Sequence, residues 1–310
     1  MRFSRWHRAP WARAALAGLY VVALAAAVPQ GAGGHGRDGS WTGAEARRFW
    51  GPTPMSASAS AAGDGGAARD APAAQRITGS AQHFDGVPSV GVLFSADEDM
   101  KEHHCTASVV HSPKGNLIAT AGHCSIGEGA AFVPDYREGA AKQPYGVWAV
   151  ERVFTDPRRA DSGEGSDLDV AFATVKPDGR GRQIERVTGA NRLVRPPGYD
   201  NRVTVIGYPN STDDPADRAI RCTALTSRLE GYRQLRMTCD GFLSGTSGSP
   251  WLTHFDEKTK TGDLIGVLGG LNGGGPDGDE GARISYSPVN GDEVFQLYLD
   301  AINGREPRRP

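Results

Sequence analysis

Three residues spread across the chain carry side chains that could together activate a hydroxyl: His123, Asp169 and Ser247. A serine hydroxyl is a poor nucleophile at neutral pH and needs a base within hydrogen-bond reach. Imidazole accepts that proton near pH 7 and can return it to a leaving group. A buried carboxylate fixes the tautomer of the imidazole and stabilises its charged form. Backbone N–H groups of a glycine turn can then hold the developing oxyanion. Ser247 sits in such a turn, Leu243-Ser244-Gly245-Thr246-Ser247-Gly248-Ser249-Pro250-Trp251-Leu252. Taken singly, each signal has a plain structural reading: a Gly/Ser turn, a histidine beside a cysteine, an acid at the mouth of a strand. Asp167 competes with Asp169, since the two lie two residues apart and share a strand face.

The elements that must position these residues are short. Apolar runs bounded by Gly, Pro, Asp and Asn recur at Pro88–Phe94, Thr106–His111, Leu117–Thr120, Gly146–Phe154, Val170–Val175, Arg202–Tyr208, Leu235–Cys239 and Leu264–Leu268. They are rich in β-branched residues and four to nine residues long, the pattern of an all-β barrel or sandwich. Gly291 to Asn303 alone reads as a helix. It sets Val294, Phe295, Leu297, Tyr298, Ala301 and Ile302 on one broad face, with Gly304 as a stop. Residues 78–305 therefore form the ordered region, with two β modules as its economical division, about 78–190 and 191–305.

Residues 1–30 read as a secretory signal peptide. Arg2, Arg5, Arg8 and Arg13 precede the apolar run Ala14 to Val28, and Ala25-Ala26-Ala27 offers a cleavage site. That run is short of the roughly 20 residues of a spanning helix, so no stable membrane anchor is expected. Its removal takes the net charge from −2 to −6, which gives no basic surface for nucleic acid. Residues 31–77 are rich in Gly, Ala, Ser, Pro and Asp and read as a disordered linker or a docking pro-segment, with Trp41, Phe49 and Trp50 available to dock. The four cysteines of an exported chain favour disulfides. Three pairings exist, and the close spacings favour Cys105–Cys124 and Cys222–Cys239. No C-x-x-C appears, so a zinc site is not expected, and the sequence carries no sign of a cofactor.

Thr120-Ala121-Gly122-His123-Cys124, Asp169-Val170-Ala171-Phe172 and Gly245-Thr246-Ser247-Gly248-Ser249-Pro250 together resemble the chymotrypsin/trypsin family of serine endopeptidases, most closely the secreted bacterial branch that includes glutamyl endopeptidases. The resemblance covers the whole ordered region. It implies two antiparallel six-stranded β-barrels, with His123 and Asp169 from the first and Ser247 from the second. It also implies an oxyanion hole made by the N–H groups of Gly245 and Ser247, and a Cys105–Cys124 clamp on the histidine loop. It selects Asp169 over Asp167, because the family's acid directly precedes the small apolar run.

The chain departs from that pattern in two places. Animal trypsins carry an aspartate before the nucleophile, which pairs with a freed Ile amine; here Arg76-Ile77-Thr78-Gly79 resembles an activation site, yet the residue before Ser247 is Thr246. Cutting after Arg76 is thus expected to be maturation and not a switch, since a hydroxyl cannot anchor a buried ammonium. The acid that trypsins place six residues before the nucleophile is Gly241 here, with Asp240 one residue off and Asp277-Gly278-Asp279-Glu280 as another acidic source. The histidine of glutamyl endopeptidases is replaced by Leu268. The expected pocket residues are Asp240, Gly241, Gly269 and Gly270, the two last with backbone free for substrate.

The expected partner is a polypeptide substrate, together with the chain's own pro-segment, and the expected state is a secreted monomer. Two rivals remain at this level. A secreted esterase of the α/β-hydrolase type needs Gly-x-Ser-x-Gly with histidine last, but Ser249 replaces the second glycine and His123 comes first. The other is a non-catalytic binding module, a protease fold that has lost activity, and the presence of every catalytic residue type argues against it. His103 and His104 adjoin Cys105, but neighbours on a strand face opposite ways, so they read as surface residues and not as joint metal ligands.

Overall fold

The computed structural model describes residues 79–95, 103–127 and 129–307. The signal-like segment 1–30, the segment 31–77 and the Arg76-Ile77 junction lie outside them.

In the first half, β1 (Gln82–His83), β2 (Val90–Phe94), β3 (Cys105–Val110), β4 (Leu117–Thr120), β5 (Ala131–Pro134), β6 (Trp148–Thr155) and β7 (Ala171–Val175) follow one another. All but β1 close into a barrel in the order β2-β3-β4-β7-β6-β5. Strands β2, β3, β4 and β7 are buried at every position. Their two faces serve different apolar layers. Val92, Phe94, Leu117, Ala119 and Phe172 pack in a cluster that also takes Ile206, Leu252 and Leu264 from the second half. Leu93, Ile118, Phe132, Trp148 and Ala173 pack in another. Alternate residues point to opposite faces, and both faces here are covered. That is why the strands read as continuous apolar runs without polar alternation.

The short helix α1 (Ile184–Thr188) leads into β8 (Arg192–Leu193), β9 (Arg202–Gly207), β10 (Ile220–Leu229), β11 (Gln234–Thr238), β12 (Pro250–Asp256), β13 (Thr261–Val267) and β14 (Ile284–Pro288). Their order is β14-β11-β10-β9-β12-β13-β8, with β1 added on β10. Six long strands thus run from β14 to β13, and the Gly269 N–H donates to Tyr286 O at 3.0 Å where the two ends meet. The two-barrel plan holds with that difference: one half closes by strand pairing, the other through Gly269, just past β13, bonded to Tyr286 of β14.

Helix α2 (Asp292–Asn303) ends at Gly304, whose φ of 64° is the left-handed stop that glycine adopts without strain. It packs back on the first half, with Tyr298 edge-on to Phe172 at 5.8 Å and its hydroxyl donating to His111 O. Disulfides join Cys105 to Cys124 and Cys222 to Cys239. No helix among the described residues is long and apolar enough to cross a membrane.

Candidate active site

Asp169 ends a 3-10 turn over Gly163–Leu168, directly ahead of β7, and is fully buried. Its carboxylate accepts four bonds. Oδ1 takes the backbone N–H of His123 at 2.7 Å and Nε of Arg159 at 3.0 Å. Oδ2 takes Nδ1 of His123 at 2.7 Å and the N–H of Gly270 at 2.7 Å. Burial works against the charge, but the bonds from His123 and Gly270 and the nearby Arg159 outweigh it, so the carboxyl sits below its usual range. Asp167 has other work. It is buried and accepts from Gln234 Nε2 at 3.0 Å and from the N–H of Arg233. Gln234 in turn accepts the N–H of Leu271 at 3.0 Å.

His123 lies in a one-turn 3-10 helix, Gly122–Cys124, that follows β4. Its Nδ1 faces an acceptor-only carboxylate, so the ring carries its proton there and leaves Nε2 as the basic nitrogen. The Cys105–Cys124 bond ties this turn to β3. Gly122 lies close under the site: a Cβ there would stand 3.1 Å from Asp169 Oδ1 and 3.4 Å from Arg159 Cδ.

Ser247 is held between Gly245, at φ 91°, and Gly248, at φ 85°. Both conformations are costly for any residue with a Cβ, and at Gly248 a Cβ would also lie 2.2 Å from Thr106 O. The first barrel grips the turn through Thr106, whose N–H donates to Ser247 O at 2.8 Å and whose hydroxyl donates to Gly245 O at 3.0 Å. Ser244 O accepts the N–H of Asn210, and Thr246 O accepts the N–H and hydroxyl of Ser249. In a trans peptide the N–H points opposite to the C=O. The N–H groups of Gly245 and Ser247 are therefore aimed away from those partners. The Thr246 hydroxyl donates to Leu243 O within the turn and needs no cation beside it.

His123 and Ser247 line one open cleft of about 320 Å³, together with Ser95, His104, Ser125 and the Cys105–Cys124 disulfide. His104 is half-buried there, its Nε2 3.1 Å from Cys124 O. His103 is 2% exposed and pairs with Asp217 at 2.9 Å. His103 is therefore not a surface residue, while His104 is half-exposed in the cleft. They follow β2 into β3 at the seam between the halves. Cys105, His123 and Cys124 form the one cluster of metal-ligand type among the described residues. Its sulfurs are joined in the disulfide and offer no thiolate.

The residues expected at the pocket are placed differently from one another. Asp240 is exposed, and its backbone pairs with Gly79 and Ala81. The N–H of Gly241 donates to Ala282 O. Gly269 and Gly270 lie against Asp169, and their N–H groups are committed to Tyr286 O and to the Asp169 carboxylate. After Gly270 the chain turns through a 3-10 segment, Leu271–Gly273, and does not continue extended. Arg159, Thr106 and Asn210 were not among the expected site residues, and Gly270 was expected to line the pocket, not to hold Asp169. They reach it from loops and strands with no fixed spacing to the catalytic types, so only the fold could bring them forward.

A family model described as a trypsin-like peptidase domain matches residues 105–267. No curated protein matches the chain by sequence. Among solved structures, protease Anisep from Arthrobacter nicotinovorans aligns with TM-score 0.58 at 22% identity, over 72% of this chain and 99% of its own. The thermostable serine protease AL20 from an extremophilic microorganism aligns at 0.58 and 23%, over 70% and 97%. A Glu endopeptidase aligns at 0.53 and 16%, over 74% and 100%. At these identities the likeness is one of fold.

Proposed function

The chain belongs to the trypsin-like peptidase family, and from that premise we propose that it is a secreted serine endopeptidase acting through His123, Asp169 and Ser247. The observation that carries this reading is the 2.7 Å pairing of His123 Nδ1 with the buried Asp169, in a cleft that His123 shares with Ser247. In the first step Ser247 Oγ attacks the carbonyl carbon of a peptide bond, and its proton passes to Nε2 of His123. Asp169 keeps the Nδ1 proton in place and stabilises the imidazolium. The carbonyl oxygen becomes an oxyanion held by the N–H groups of Gly245 and Ser247. Collapse breaks the C–N bond, the amine takes the proton from Nε2, and an ester to Ser247 remains. Water then attacks the ester, giving its proton to Nε2; collapse returns that proton to Oγ and releases the acid. No cofactor is needed for this balance.

Export before residue 31 and trimming of segment 31–77 belong to the same reading, which the even set of disulfides supports. Neither Asp240 nor Leu268 supplies a charge for the residue before the cut. Asp240 lies outward, and Leu268 is a buried apolar residue. The test is labelling by a fluorophosphonate probe, beside Ser247→Ala and His123→Ala. Wild type is expected to label, and each variant to lose on the order of 10⁴-fold or more in turnover. An unlabelled, folded wild type would leave a protease fold used for binding. A peptide-library digest of the same sample reads the residue preference.

A further inference from the structure

We propose that Arg159 is a positioning residue of this site: its guanidinium holds Asp169 and extends to lower pH the range in which His123 serves as a base. The inference rests on the triad reading above and adds a group to it. Arg159 lies ten residues before Asp169 in a loop, and its Nε donates to Asp169 Oδ1 at 3.0 Å. The carboxylate is fully buried and the arginine side chain only 20% exposed, so little water screens the pair. The same oxygen takes the backbone N–H of His123, and the other oxygen takes Nδ1. Arg159 thus completes a fixed frame in which the carboxylate cannot rotate away from the imidazole.

The local structure is built around this contact. Gly122 lies against both partners: a Cβ there would meet the arginine stem in ordinary contact at 3.4–3.5 Å but crowd Asp169 Oδ1 at 3.1 Å. The far side of the guanidinium bonds Asp161, whose carboxylate is 77% exposed. The backbone O of Asp161 accepts the N–H of Asn272, which anchors the arginine loop to the turn that carries Gly270. The two added donors on Asp169, Arg159 and Gly270, are therefore fixed to one another.

The sign of the electrostatic effect follows from the charges that face His123. Asp169 attracts the imidazolium. Arg159, just behind it, offsets that negative charge and repels the imidazolium, while the exposed Asp161 offsets Arg159 in part. His104 faces the same cleft. Removing Arg159 leaves Asp169 uncompensated, favours the protonated ring, and moves the acid limb of kcat/KM to higher pH. A purely structural loss would lower the rate and leave the limb in place.

The experiment follows the His123 ring by NMR across pH in Ser247→Ala, in the same background with Arg159→Met, and with Arg159→Lys. It is paired with kcat/KM against pH for the corresponding enzymes that keep Ser247. The expected result is an upward move of about 0.5–1 pH unit for Arg159→Met in both readouts, with Arg159→Lys staying near its parent. An unmoved Met variant overturns the proposal, and so does an equal move in Met and Lys. Should Arg159→Met fail to fold, Asp161→Asn carries the test. Freeing the guanidinium from its exposed partner should move the midpoint down, and no move or an upward one overturns the proposal. A wild type that neither labels nor cleaves defeats the peptidase reading instead, and the ring titration still decides the role of Arg159.

Discussion

Asp167 and Asp169 are the same residue type, two positions apart and both buried, and their neighbours separate them. Asp169 meets the imidazole, a guanidinium and two backbone donors. Asp167 also meets a guanidinium, that of Arg233, with the Arg233 backbone N–H and Gln234, which reaches on to Leu271, but no imidazole. Asp169→Asn is expected to lower kcat on the order of 10⁴-fold with little change in fold, because an amide cannot hold the correct imidazole tautomer. Asp167→Asn should keep kcat near wild type and cost about 1–3 kcal/mol of stability, the penalty for a weakened buried hydrogen-bond set. Steady-state kinetics and urea unfolding on both variants check this, and similar kinetic losses in the two would refute the assignment. Only the family pattern favours Asp169 at the level of sequence, since periodicity puts both on one face. Arg159 has no sequence signal at all. Arginines at loop positions are common, and nothing in the spacing of Arg159 and Asp169 states that the loop folds back between them.

At the scale of elements, the acid is only as well placed as the strand it precedes. Helix α2 comes from the end of the chain, yet it packs on β6 and β7 of the first barrel. Leu297 is 5% exposed within the larger apolar cluster, alongside Phe172 of β7. Leu297→Ala should cost about 2–5 kcal/mol, since the pocket between helix and barrel cannot collapse freely. Thermal or urea unfolding measures it, and a loss under 1 kcal/mol would mean the helix is not anchored there. The helix was legible because its apolar face and its glycine stop agree. Strands β2, β3, β4 and β7 of the first barrel were legible too, since burial on both faces makes them nearly unbroken apolar runs. Strands β5, β10 and β14 were not. In β10 the burial alternates along Ile-Arg-Cys-Thr-Ala-Leu-Thr-Ser-Arg-Leu, so its apolar content is diluted by half-buried Arg221, Thr223 and Ser227 and by exposed Arg228. In β5 and β14 a closing proline stands where a turn is expected.

Across the whole molecule, the two halves meet over polar groups as well as apolar ones. His103 and Tyr136 of the first half bond Asp217 of the second, and Asp135 lies near Tyr208, with Gly86 packed against both. Among the described residues neither Asp135 Oδ1 nor Tyr208 Oη has a hydrogen-bond partner, though Arg137 Nη2 forms an ion pair with Asp135 Oδ1 at 3.1 Å. Burial pushes the Asp135 carboxyl up to about 6 from its ordinary 3.8, an effect that Arg137 reduces but does not cancel. Between those two values the folded chain holds a proton that the unfolded chain has released. Stability therefore falls as pH rises through this window, by up to about 3 kcal/mol from this one group. Glu138, also raised by burial, acts in the same direction. Asp169 acts oppositely, and elsewhere on the scale. Its lowered carboxyl adds stability that is present above the ordinary carboxylate value and lost as pH falls through the lowered one. Wild type and Asp135→Asn should therefore have unfolding free energies that converge on different slopes between pH 4 and 7, the variant lacking the decline that Asp135 contributes. Urea denaturation at half-unit steps gives that difference directly, since every other group is common to both proteins. Parallel curves would mean that the seam holds Asp135 charged at no cost, with Arg137 fully compensating its burial.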